Sequence, residues 1–305
     1  MENLKDKLIG LQNAVRTMKP LVISFSGGRT SAYMTYLLLD KYKGKREILV
    51  VFANTGKERE ETLQFVHDCD THYGFNTVWL ESVQYHGKRK SAGYRLVTFE
   101  TVNRMGAPFE DAIKKHGIPN KPYPQCSREL KKNPINAYIK QVLKWKDYEI
   151  ALGIRADEPK RLTKKPKVIY PLAYEFPTTK LSVNQWWHNN TFNLQLKDYE
   201  GNCDLCWKKS KRKHLTILLE HPQYADWWNE MEIKYGQFVP PTQAAHRVTP
   251  ITFFRGSESI QELLEDSKMP FRKQEDAFTL AELMFSEPEL DFEEAGCGKA
   301  SCEPF

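Results

Sequence analysis

The chain holds 305 residues, 40% hydrophobic and 28% charged, with a net charge of +6. Such a chain can bury a sizeable core as one large α/β domain with an appendage, and it is not globally disordered. The mild positive charge suits an anionic ligand but does not by itself single out a nucleic acid. No apolar run reaches the length of a membrane span. The N-terminus is charged and lacks the apolar stretch of a secretory signal. The expectation is a cytoplasmic protein with no membrane partner. The six cysteines are Cys69, Cys126, Cys203, Cys206, Cys297 and Cys302. Without a signal, such a set points to metal or redox chemistry rather than to a disulfide framework.

In chain order, residues 1–18 read as an amphipathic helix with Leu4, Leu8, Leu11 and Val15 on one face. The apolar run Leu21-Val22-Ile23-Ser24-Phe25 then enters Ser26-Gly27-Gly28-Arg29-Thr30-Ser31, and a helical pattern follows from Ala32 to Leu39. A strand, a glycine turn and a helix start make an anion site. Glycine lets a ligand approach the backbone closely, and the first helical N–H groups point outward with the positive end of the dipole. The spacing is neither that of a Walker loop nor that of the dinucleotide fingerprint.

A second buried strand, residues 48–53, ends in Asn54-Thr55-Gly56-Lys57-Glu58, where Thr55 and Glu58 have capping-box spacing. Residues 77–80 read as a third strand, and the alternation of strands and helices predicts a doubly wound, mostly parallel sheet. Its ligands sit at the carboxyl ends of the strands, where both polar turns lie. Residues 84–95 read as a basic loop, solvated or covering an anionic substrate. Cys126 stands at a helix start after two prolines, a position that favours thiolate. A fourth strand, residues 148–155, ends in Gly153-Ile154-Arg155, and an arginine fork there suits phosphate or sulfate oxygens. Cys203 and Cys206 form a Cys-x-x-Cys pair able to share one metal. Cys126, Cys297, Cys302 and His214 are candidates to complete the ligand set. The basic run Lys208–Lys213 is either a solvated face or a contact for nucleic acid. An aromatic helical lobe and a cysteine-bearing tail close the chain. The expected division is a helix over 1–18, a nucleotide-binding domain over 19–200, and the cysteine pair, lobe and tail over 201–305.

Ser26-Gly27-Gly28-Arg29-Thr30-Ser31 resembles the S-G-G-x-x-S pyrophosphate loop of the adenine nucleotide α-hydrolase-like superfamily. Thr30 stands where that pattern has Asp. The Cys126-Ser127-Arg128 segment, Gly153-Ile154-Arg155, Pro171-Leu172 and the Cys-x-x-Cys are similar to segments of its phosphoadenosine phosphosulfate (PAPS) reductase branch. Gln125 replaces the adjacent cysteine of members that carry an iron–sulfur cluster. The resemblance implies a Rossmann-like fold of that superfamily with a small helical C-terminal lobe. It implies an adenine nucleotide, ATP or PAPS, held by Ser24, Ser26, Gly27, Gly28, Arg29, Thr30, Ser31, Asn54, Thr55, Gly56, Gly153 and Arg155.

Sulfur chemistry is then expected beside a 4Fe-4S cluster, alternatively zinc, on Cys126, Cys203, Cys206 and Cys302. Arg155 and the tail thiol Cys297 are the candidate catalytic groups, and a thiol reductant or sulfur-donor protein is the expected partner. One alternative is an ATP-dependent sulfurtransferase that needs Mg2+ and adenylylates a nucleic acid before inserting sulfur. Another is a non-enzymatic, zinc-stapled nucleic-acid-binding protein.

Overall fold

The computed structural model describes residues 18–87, 90–254 and 258–276. The expected N-terminal helix, Cys297 and Cys302 lie outside the described residues. Six strands form one sheet: β1 (Leu21–Ser24), β2 (Ile48–Asn54), β3 (Val78–Val83), β4 (Gly93–Val97), β5 (Glu149–Ala151) and β6 (Val168–Ile169), in the order β4-β3-β2-β1-β5-β6. All neighbours are parallel except β3 and β4. β1 lies between β2 and β5, with Leu21 opposite both Ile48 and Glu149.

Side chains alternate across a strand, and the central strands are apolar on both faces, so each face needs its own cover. Leu21, Ile23, Val50 and Phe52 face α1 (Arg29–Tyr42), α2 (Glu60–Tyr73) and, after the short α5 (Pro171–Tyr174), α6 (Lys180–His188), where Met34, Leu63, Phe65 and Trp187 are buried. Val22, Leu49, Val51 and Ile150 face Ile135, Tyr138 and Ile139. Those residues belong to α4, a continuous helical run of three segments, Ser127–Lys132, Asn133–Tyr138 and Ile139–Leu143, whose first and last segments have widened turns. The doubly wound architecture read from the sequence is the one observed.

A third core holds the helical lobe. Phe109 and Ile113 of α3 (Ala107–His116) and Leu130 of α4 pack with Leu215 and Ile217 of α7 (Lys211–Glu220), Trp228 and Met231 of α8 (Ala225–Tyr235), and Ile260 and Leu263 of α9 (Ile260–Asp266). Within it, Glu232 accepts the N–H groups of Phe253 and Ile260, both at 2.8 Å, and so ties the start of α9 to α8. Burial pushes its carboxyl up to about 7, against the two N–H donors. The folded value lies above the unfolded one. The stabilisation from this group is therefore complete below the ordinary carboxylate range and is lost as pH rises through about 7. Denaturant titrations at pH 5 and pH 8 should show the wild type losing stability across that interval relative to Glu232→Gln, which does not titrate.

Three local expectations are corrected. Residues 84–95 are not all loop: Gly93 opens β4, whose Glu81–Arg95 and Leu80–Leu96 registers extend the sheet antiparallel to β3. The charged lead-in hides a short edge strand, and an edge strand does not need a two-sided apolar run. The Thr55–Glu58 capping box does not form either. α2 starts at Glu60 after Arg59, with no side-chain cap, and Glu58 is used elsewhere. The fourth expected strand is shorter than its apolar run. Leu152 and Ile154 are buried beyond β5, but ladder pairing ends at Ala151.

Candidate functional site

The turn between β1 and α1 fixes its own shape. The hydroxyls of Ser26 and Ser31 lie 3.0 Å apart, Ser31 Oγ donates to the Gly28 carbonyl at 3.0 Å and accepts the Ser26 N–H at 3.2 Å. Gly28 precedes the helix without any side-chain cap, and the first turn of a helix presents N–H groups that have no partner within the helix. The two glycines differ. Gly27 has φ +82°, and a Cβ there would lie 2.6 Å from Thr62 Cγ2, with Phe52 and Val66 also in contact, so the fold itself demands glycine. Gly28 has φ −101°, which any residue adopts, and a Cβ there would meet nothing nearer than Asn202 Oδ1 at 3.7 Å. The protein does not need glycine at 28, whereas a ligand lying against that backbone does.

The end of β5 closes one side of the turn. A Cβ on Gly153 would lie 3.2 Å from Ser31 Cα, so the strand end packs directly against the helix start. Arg155 then reaches Thr30 Oγ1 with Nη1 at 3.3 Å, while Asp157, at 2.8 Å from its Nε, and Glu158 hold its fork. Ser24 is buried at the end of β1. Arg29 turns away from the turn. Its guanidinium donates to Asn193 Oδ1 at 2.9 Å and to the carbonyls of Leu194 and Leu196. Trp187 Nε1 donates to the Arg29 carbonyl at 2.9 Å. Arg29 therefore anchors the turn to the 193–196 segment.

The turn after β2 is drawn into the protein. Asn54 is fully buried, and its amide donates to Glu81 Oε1 and to the Asn103 carbonyl, both at 2.8 Å. Gly56 has φ +84°, and a Cβ there would overlap Pro108. Thr55 Oγ1 donates to Glu58 Oε1 at 3.1 Å. These residues shape the floor at the end of β2 rather than opening side chains onto it.

Sequence reasoning missed the clasp that brings the cysteine pair to this edge. Arg59 N donates to the Asn202 carbonyl at 2.7 Å and Asp204 N to the Lys57 carbonyl at 3.1 Å, and Glu58 forms an isolated bridge with Cys203. Side chains reinforce it: Lys57–Asp204 at 2.8 Å and Arg59–Glu200 at 2.7 Å, all four largely buried. The Asn202 amide donates to the Ser26 carbonyl, so the residue before Cys203 touches the glycine turn. Cys203 Sγ lies 3.6 Å from both Glu58 oxygens and from Thr55 Oγ1, and Lys131 lies 3.4 Å from Glu58. The one signal available in the sequence was the alternating charge of Lys57-Glu58-Arg59 and Glu200…Asp204, which reads equally well as an ordinary solvated turn.

Cys126 starts α4 as expected, and Ser127 beside it accepts from Lys208 Nζ at 3.1 Å. Cys126, Cys203 and Cys206 therefore border one region. Even so, no three His, Cys, Asp or Glu side chains among the described residues are placed to hold a metal ion. As placed, with the Cys203 thiol against Glu58, the described cysteines do not fit a cluster or a zinc ion. His214 is buried with its ring 4.8 Å from that of Phe254 in the lobe. Cys69 is buried in the sheet core, and burial pushes its thiol up. The basic run is largely turned inward: Lys209 donates to the Tyr199 carbonyl, Lys211 pairs with Glu258 and Asp266, and Arg212 donates to Gln274.

A parallel sheet with a glycine turn and an arginine-bearing strand end meeting at its carboxyl edge defines a nucleotide-binding α/β protein. Residues 20–271 match the phosphoadenosine phosphosulfate reductase domain, and the chain belongs to that family, whose members are nucleotide-binding enzymes. It is 34% identical over 195 residues to the uncharacterized nin region protein ORF290 of Escherichia phage lambda, a match covering 63% of this chain and 67% of the phage protein. It is also similar to two uncharacterized proteins of Methanocaldococcus jannaschii. These are 32% identical over 169 residues and 30% identical over 118 residues, covering 54% and 39% of this chain but only 29% and 22% of the archaeal ones. Among the described residues, no helix is long and apolar enough to cross a membrane.

Proposed function

We propose that this protein binds an adenine nucleotide carrying an activated sulfate, with its phosphates against Gly28 and the start of α1, and performs sulfur chemistry with a thiol at that edge. The observation that supports it best is the glycine at 28, which the surrounding protein leaves unexplained. Gly153 and Thr30 wall the anion, and Arg155, held by Asp157 and Glu158, places its Nη1 at the same strand end. In the reductive reaction a thiolate attacks the sulfate sulfur. An S–S bond forms, the bond from sulfur to the phosphate oxygen breaks, and the nucleotide leaves as its phosphate. A second thiol then displaces sulfite from the resulting S-sulfonate, leaving a disulfide. Cys297 is the sequence's candidate for the first thiol, and Cys203 is the described thiol tied to the phosphate turn through Asn202.

Calorimetric titration with PAPS and with Mg-ATP, followed by assays for sulfite and for pyrophosphate, tests this reading. Tighter binding of PAPS and thiol-dependent sulfite release are expected. Binding of ATP alone with pyrophosphate release would replace it with the adenylylating sulfurtransferase. Binding of neither would leave a non-enzymatic role. Iron, sulfide and zinc analysis of anaerobically purified protein tests whether the cysteines take up a metal after rearrangement.

A further inference from the structure

The positive charge of this chain is gathered at the end of the sheet opposite the nucleotide turn. Because β2, β1, β5 and β6 are parallel neighbours, the segments that lead into them all emerge along one edge. These are residues 43–47, 18–20, 140–149 and 163–167. Together they carry ten basic and three acidic side chains, an excess of seven, while the whole chain has a net charge of +6. Everything else in the chain, taken together, is close to neutral.

Two of the three carboxylates are paired within this edge, which leaves eight lysines against Glu47. Glu149 is taken by the buried Arg46 at 2.9 Å and Asp147 by Lys19 at 2.9 Å. All nine lysines are exposed, and Lys43, Lys140, Lys144, Lys146 and Lys164 meet no carboxylate among the described residues. The segments are joined into one surface: Lys167 Nζ donates to the Lys146 carbonyl at 2.8 Å and stands 4.4 Å from the Tyr148 ring centre, and Arg46 donates to the Lys19 carbonyl. Two of the lysines, Lys144 at φ +57° and Lys167 at φ +65°, hold the left-handed conformation. Glycine or asparagine is the usual choice there, yet the chain keeps a charged side chain at both.

We propose that this edge binds the phosphate backbone of a nucleic acid. Four neighbouring strands span about 14 Å, enough to meet several phosphates of a duplex that carries one charge per roughly 1.7 Å of axis. The array is almost all lysine, a point charge on a flexible stem, and not the planar fork that reads base edges, so binding is independent of sequence. β2 alone is about 23 Å long, so a duplex here lies away from the Gly28 turn. It docks the protein and does not enter the nucleotide site. The basic run Lys208–Lys213 does not compete for this role, because much of it is bonded within the lobe.

The test uses the full chain and a fluorescein-labelled 20-base-pair duplex, read by anisotropy from 50 to 200 mM salt. The wild type should bind with affinity falling steeply as salt rises. The quadruple variant Lys144→Asn, Lys146→Ala, Lys164→Ala, Lys167→Asn should bind at least tenfold more weakly at 50 mM salt. Its log–log salt slope should fall by about 3 to 4, close to one per phosphate contact removed. PAPS or ATP titration and the melting temperature should be unchanged, which separates this surface from the nucleotide site. The comparison protein removes four exposed lysines elsewhere: Lys114→Ala, Lys121→Ala, Lys268→Ala, Lys273→Ala. Equal weakening in both variants, no duplex binding by the wild type, or binding to anionic phospholipid vesicles in place of the duplex would each overturn the proposal.

Discussion

Gly28→Val should weaken adenine nucleotide binding by about 100-fold or more, close to 3 kcal/mol, while the melting temperature stays within about 2 °C of wild type. The backbone at Gly28 already lies where valine is allowed, and a Cβ there makes only ordinary van der Waals contact with the Asn202 amide, at 3.7 Å. The Cβ itself therefore costs the fold little, and the bulk of valine is expected to act on the proposed ligand. Gly27→Ala should do the reverse. A left-handed alanine costs about 1–2 kcal/mol, and its overlap with Thr62 adds about 1–3 kcal/mol, so the melting temperature falls by several degrees. Calorimetric titration and thermal melts of the two variants form one experiment. Unaltered nucleotide affinity in a folded Gly28→Val protein would remove the phosphate site from this turn, whatever the nucleotide proves to be.

Asp204→Ala should destabilise the protein by about 3–5 kcal/mol, since breaking a buried ion pair strands the partner charge. The Asp204 carboxylate accepts from Lys57 at 2.8 Å, from Trp228 Nε1 at 2.8 Å and from the Leu205 N–H at 2.8 Å. All three lose their acceptor together. Asp204→Asn keeps an oxygen for the indole and the N–H and should cost less than half as much. Urea denaturation followed by tryptophan fluorescence measures both. A loss of under 1 kcal/mol in the alanine variant would mean that the clasp between 57–59 and 200–204 is not what seats the cysteine pair. The contrast with surface pairs such as Lys268–Glu265, where both side chains are more than half exposed, is one of solvent: those are worth about 0–1 kcal/mol.

The sheet was legible because its signals are local and repeated. Runs such as Ile48 to Ala53 are apolar on both faces, and each is followed by a polar turn and a helical period. The glycine turn was legible for the same reason. What each side chain does at the site was less so, because those roles are set by distant partners. Nothing near Arg29 in the sequence announces the carbonyls of Leu194 and Leu196, and nothing near Asn54 announces Glu81. β4 escaped notice because an edge strand needs only one apolar face. The spread of lysines over four separate segments has no pattern along the chain. It becomes a surface only once strand order places those segments side by side.

The hydrogen bond from Asn202 to the Ser26 carbonyl has a thermodynamic implication of its own. It joins the glycine turn to the residue before Cys203. If the nucleotide binds at this turn as proposed and its binding alters the thiol, the two share one coupling free energy, and such sharing is reciprocal. If a bound nucleotide slows alkylation of Cys203 by changing its equilibrium exposure, then a bulky adduct on Cys203 must lower nucleotide affinity by the same factor. The cysteine pair is in that sense a gauge of whether the turn is filled, and the turn a gauge of whether the thiol is spent.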